Sequence, residues 1–100
     1  MNKQSIGGGQ WFDLDEAQEW KENTYWNGNN HISVATGSQW DHQTLYFTKN
    51  GKYILFSWSQ RQGVVESWTI ISEEDAARWL TDNGKDLPED LSRFQEELEV

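Results

Sequence analysis

The sequence predicts an α+β domain: a four- or five-stranded antiparallel meander sheet, with one N-terminal helix and two C-terminal helices packed mainly on one face. Three observations predict it. Between His31 and Ile71, apolar and polar residues alternate in segments separated by short turns, and sequential strands so joined pair antiparallel. Asp13 with Glu16, and Ser72 with Asp75, are spaced like helix-capping pairs. Leu87, Leu91, Phe94 and Leu98 recur every three or four residues, one stripe of a helix.

Taken in order, residues 1–10 of the single domain 1–100 end in Gly7-Gly8-Gly9 and read as a loop or flexible arm. A first helix is predicted over 14–23, its apolar face Leu14, Ala17 and Trp20, stopped by Asn27-Gly28-Asn29-Asn30. Strands follow at 31–35, 43–48, 53–59 and 64–71. Period 2 puts Leu45 and Phe47 on one face of the second, and Ile54, Phe56 and Trp58 on one face of the third. Asn50-Gly51 between two strand patterns predicts a type I′ hairpin turn. A second helix over 73–83 buries Ala76, Trp79 and Leu80, with Asn83-Gly84 as its stop, and Pro88 opens the third.

Composition narrows the function classes. The chain has 100 residues, a net charge of −9 and a mean hydropathy of −0.91. It has room for one domain. Such a charge counts against direct nucleic-acid binding and against anionic membranes. No apolar run approaches the roughly 18 residues of a membrane span. Met1–Ser5 holds no apolar signal core, so a cytoplasmic setting is expected. With no cysteine, disulfides and thiolate chemistry are excluded. Ile, Leu and Val are few, so most of the seven tryptophans are expected in the core. Trp26 and Trp40, in turn-rich sequence, are the expected exposed ones.

Two surfaces carry candidate chemistry. Residues 73–100 hold ten acidic and three basic side chains, against seven and five in residues 1–72. Glu89, Asp90, Glu96, Glu97 and Glu99 fall off the Leu/Phe stripe and form a candidate docking face for a basic partner protein, in the manner of an immunity protein or a nucleic-acid mimic. Alternatively, the turns after Ala35 and after Ser59 lie at one end of the meander. They then gather Gln39, Trp40, Trp58, Gln60 and Arg61, a mixture of amides, guanidinium and indole suited to a small ligand or a glycan.

For catalysis, His31 and Ser33 share a strand face, but no orienting acid is visible and no hydrolase, phosphate-loop or zinc motif occurs. No catalytic residue, metal or cofactor is therefore expected. An open sheet face or edge leaves monomer and homodimer both open.

The stretches Gly28–Ser33, Ala35–Trp40 and Trp58–Gly63 resemble those of small uncharacterised bacterial proteins, often carried on mobile elements. The resemblance spans roughly residues 7–100 and implies a bacterial, cytoplasmic setting, but no activity or site residue that can be carried over. The expected function is a non-enzymatic, acidic protein-interaction module, with ligand binding at the turns as the alternative.

Overall fold

In the computed structural model, which describes residues 1–100, the chain is a small α+β protein with antiparallel sheets and two helices. Strands β1 (Lys3–Gly7) and β2 (Gln10–Asp13) form a hairpin. A 3-10 turn (Leu14–Glu16) leads to β3 (Gln18–Lys21), and β4 (Thr24–Trp26) pairs with β5 (His31–Ser33) in a second hairpin. Strands β6 (Asp41–Phe47), β7 (Tyr53–Ser59) and β8 (Ser67–Ile71) follow, then α1 (Glu73–Asp82), a second 3-10 turn (Glu89–Phe94) and α2 (Gln95–Leu98). The main sheet runs β3-β6-β7-β8.

The predicted first helix does not form. Asp13 caps only the short 3-10 turn, accepting from the Asp15 N–H, and Ala17 is already extended. Three apolar residues at helical spacing are outweighed by pairing with β6. There Trp20 sits opposite Leu45 and its ring lies against Tyr53, with centroids 6.3 Å apart. This strand takes the sheet position expected for residues 31–35, which pair instead with β4. The last strand is shorter than expected, with Val64, Val65 and Glu66 outside it.

Residues 1–10 are not a loose arm in this structure. Gly7, Gly8 and Gly9 all have positive φ (94°, 62° and 78°), and this glycine run turns β1 back onto β2. The hairpin lays Phe12 against Tyr46 and Trp68, with ring centroids 5.5 and 5.7 Å away. The Asn50-Gly51 hairpin forms, but not as type I′. Only Gly51 has positive φ, and the Gly51 N–H donates to the Thr48 carbonyl while the Thr48 N–H donates to that of Lys52. This is a three-residue loop closed by a glycine bulge, which asks nothing unusual of Asn50.

The two sheet faces divide as the alternation predicts. Leu45, Phe47, Tyr53 and Leu55 face α1, whose Ala76, Ala77, Trp79 and Leu80 are buried, and Leu91 completes that core. The Ser72 hydroxyl accepts from the Asp75 N–H (3.1 Å) and starts α1. Its end is a Schellman motif, in which the Lys85 N–H reaches the Leu80 carbonyl and the Gly84 N–H that of Thr81. Asn83 is buried there, accepting from the Asn23 N–H and donating to the Trp79 carbonyl. The Tyr53 hydroxyl is buried without a partner. Burial first, then Asp90 and Glu73, push this phenol up to about 12.

The C-terminal stripe packs as expected, but residues 89–94 wind as 3-10. Ser92 and Arg93 side chains donate back to the carbonyls of Glu89 and Asp90, competing with α-helical bonding. Only one tryptophan, Trp79, is buried. Trp20, Trp58 and Trp68 are half-buried, and Trp11, Trp26 and Trp40 are 44, 59 and 46% exposed. The expectation that most tryptophans are core is thus corrected. The two hairpins spread the chain into a disc of 41 × 39 × 20 Å, too thin to bury many large rings.

Asp13 fastens the N-terminal hairpin, accepting from the Asn2 and Asp15 N–H groups through one oxygen (3.1 and 3.0 Å). These bonds, that from Asn2 foremost, hold its carboxyl below the usual 3.8, helped by the N-terminus and Lys49. A lowered folded value adds stability above the unfolded value and loses it as pH falls through the folded one. The Asn2 and Asp15 amides are therefore expected to lose exchange protection as pH drops below 3.8. Asp13→Asn removes that dependence. Hydrogen exchange followed against pH checks it, and equal pH response in the variant counts against the latch.

Candidate functional site

The turn after β5 and the turn after β7 meet at one end of the main sheet, as predicted. The Gln60 N–H donates to the Trp40 carbonyl (2.9 Å), and Asp41 pairs with Ser59 across β6 and β7. The Ser59 hydroxyl donates to Asp41 Oδ1 (2.7 Å), and Arg61 lies 3.5 Å from Oδ2. Side-chain hydroxyls shape the first turn. The Thr36 hydroxyl donates to the Asp41 carbonyl, and the Ser38 hydroxyl accepts from the N–H groups of Trp40 and Asp41.

Between these turns lies a cleft of about 320 Å³ lined by Ala35, Thr36, Asp41, His42, Gln43, Ser57, Trp58, Ser59, Val64 and Val65. Of the five ligand-binding candidates, only Trp58 lines it. Gln39, Trp40, Gln60 and Arg61 stand outside, on the turns that frame it. The wall itself comes from Asp41, His42 and the serines of β7.

The centre of the site is a histidine bonded to a carboxylate. His42 Nδ1 lies 2.7 Å from Glu22 Oε2, and both side chains are largely buried. Glu22 Oε1 accepts from the Ser33 hydroxyl (2.8 Å) and from the Gln43 N–H (2.6 Å). One carboxylate thus joins the segment after β3 to β5 and β6. The His42 ring lies against Trp58, centroids 4.5 Å apart and planes at 32°. Its Nε2 is buried and has no hydrogen-bond partner. An unpaired buried polar atom costs about 1–3 kcal/mol, which the surrounding structure must supply.

Glu22 was not legible as part of a site. Read as the end of a helix, it faces solvent; only the β3–β6 register, Lys21 opposite Thr44, brings it beside Gln43 and His42. The His31–Ser33 pairing does not form. Ser33 is fully buried and bonded to Glu22, while exposed His31 meets the ring of Trp26 edge-on at 5.1 Å. Glu89, Asp90, Glu96, Glu97 and Glu99 are all exposed. Nearby Arg78 pairs with Glu74 and Asp75, and Arg93 with Glu73, so two of the region's three cations are already engaged.

A second cleft, about 340 Å³, opens under the N-terminal hairpin between Trp11, Lys49, Lys52, Ile54 and Ile70. Lys49 is tied to Glu16 at 2.8 Å, which raises its ammonium above its usual value. No group of three or more metal-ligating side chains is present, and no helix is long and apolar enough to cross a membrane. Compared with known proteins, the chain matches no family model, no curated protein and no solved structure.

Proposed function

We propose that the protein is a small-molecule binding module whose site is the cleft between the two turns. The observation that carries this reading is a preassembled floor. Glu22, bonded to both β5 and β6, holds the His42 ring against Trp58 in the wall of a concavity of ligand size. Side chains locked by neighbours before a ligand arrives lower the entropy lost on binding. The acidic C-terminal face has charge but no comparable built feature, so the cleft is the better supported of the two surfaces.

The test is a screen of small aromatic and polar fragments against labelled protein, read by backbone amide NMR. Binders are expected to shift amides of residues 35–43 and 57–65 together. Trp58→Ala is expected to weaken them about tenfold, the scale of losing one stacking platform, whereas Gln60→Ala, outside the cleft, has little effect. Hits that map elsewhere, or that ignore Trp58→Ala, would sink the reading.

A further inference from the structure

We infer that the cleft takes a flat, neutral heteroaromatic ring that donates a ring N–H to His42 Nε2. The inference rests on the binding reading above and adds the chemistry of the ligand. Glu22 accepts through both oxygens, Oε1 from Ser33 and Gln43 and Oε2 from His42. The proton of the His42–Glu22 bond therefore sits on Nδ1. In the neutral imidazole this leaves Nε2 as a lone-pair acceptor, the tautomer that a carboxylate behind a histidine enforces.

That acceptor is the unsatisfied atom of the site. It is buried without a partner, on a side chain that lines the cleft. A ligand donor there repairs a deficit that the free protein carries, so its hydrogen bond is a net gain.

The remaining walls select the body of the ligand. Trp58 and His42 provide ring surface, and Ala35, Val64 and Val65 are apolar. About 320 Å³ is at the small end for ligand sites, which suits one fused ring system. Charge selects against anions, because Asp41 lines the cleft, Glu22 lies behind it and the chain carries −9.

Nε2 is shielded from water, so the ring must displace what covers it. The segment between β7 and β8 contributes Val64 and Val65 to the cleft wall. It lies outside both strands, and its Val65 is 86% exposed although it lines the cleft.

The experiment uses the full chain labelled with 15N at histidine, titrated with indole and with 1-methylindole. There are two histidines, and exposed His31 serves as the internal reference. The free protein is expected to show His42 as the Nδ1–H tautomer. Indole is expected to move the Nε2 resonance of His42 and leave His31 in place. 1-Methylindole, which has no N–H, is expected to bind at least about tenfold more weakly, as sites built around a hydrogen bond reject analogues that lack it. Equal binding of both would overturn the donor requirement while leaving the cleft a binding site. No binding of indole at millimolar concentration would overturn the ligand class, and the fragment screen would still judge the cleft independently. An Nε2–H tautomer in the free protein would overturn the assignment of the acceptor.

Discussion

Glu22→Ala is expected to cost about 3–4 kcal/mol, a large share of the stability of a domain this size. The carboxylate is the acceptor for three donors on two strands: the Ser33 hydroxyl of β5, and the Gln43 N–H and His42 Nδ1 of β6. Alanine strands all three in a place water reaches poorly, with Ser33 fully buried. Each stranded donor costs about 1–3 kcal/mol, and shared relaxation keeps the total below their sum. Urea unfolding checks this, with a midpoint fall of about 2 M for a slope near 1.5 kcal/mol/M.

Glu22→Gln separates shape from charge. The amide oxygen can still accept from Ser33 and Gln43, so the expected loss is smaller, about 1–2 kcal/mol. Its NH2 then faces Nδ1, which must become the acceptor, and the proton moves to Nε2. The variant thus folds but presents a donor in the cleft instead of an acceptor. A loss under about 1 kcal/mol for Glu22→Ala would show that water replaces the carboxylate, and the floor would then not be preassembled.

What the sequence discloses follows the range of the interactions. The Ser72 cap, the Gly84 stop, the 53–59 strand and the face alternation around Leu45 and Ile54 are local or period-2 effects, and all are found in the structure. The segment 14–23 is misread because its three apolar positions satisfy a helical spacing, while the partner that makes Gln18–Lys21 a strand lies more than twenty residues away in β6. A period of three over so few positions cannot be told from a strand with one inward tryptophan. That error also puts residues 31–35 into the main sheet, because the position beside β6 can be filled only once and β3 occupies it.

The convergence of turns that frames the candidate cleft was legible, and the residues that line the cleft mostly were not. Polar turn residues after Ala35 and Ser59 mark where two connections converge, and strand counting brings them to one end. The residues that build the floor were hidden by two things. Glu22 inherits the misread helix, and His42, one of the chain's two histidines, shows no partner within its own segment because its acid lies twenty residues earlier. The exposure of Trp11 has a similar origin. Nothing local says that a β1–β2 hairpin folds over the sheet with Phe12 inward, which leaves the neighbouring indole outside under Lys3, 4.7 Å away.

Leu91→Ala is expected to cost about 3 kcal/mol, within the roughly 2.7–5 measured for burying a leucine-sized cavity. The manner of the loss is more informative than its size. Leu91 is fully buried, but the 3-10 turn that carries it is joined to the core by little besides its own stripe, with Leu87, Phe94 and Leu98 beside it. The ion pair from Arg93 to Glu73 is exposed and is worth well under about 1 kcal/mol. Against docking stands the charge of residues 73–100, ten acids to three bases, whose mutual repulsion falls when the segment swings free. The variant is therefore expected to lose exchange protection over residues 87–98 first, while β6 and β7 stay protected. Leu80→Ala, the same deletion in α1 at the centre of the core, lowers protection throughout. Salt discriminates the two further. Moving from low ionic strength to about 0.5 M screens surface repulsion, because the Debye length falls well below 10 Å, and so restores part of the loss at Leu91 and little at Leu80. Uniform loss of protection in Leu91→Ala, indifferent to salt, would mean that the C-terminal segment is as integral to the fold as α1, and that its acidic load costs the protein nothing.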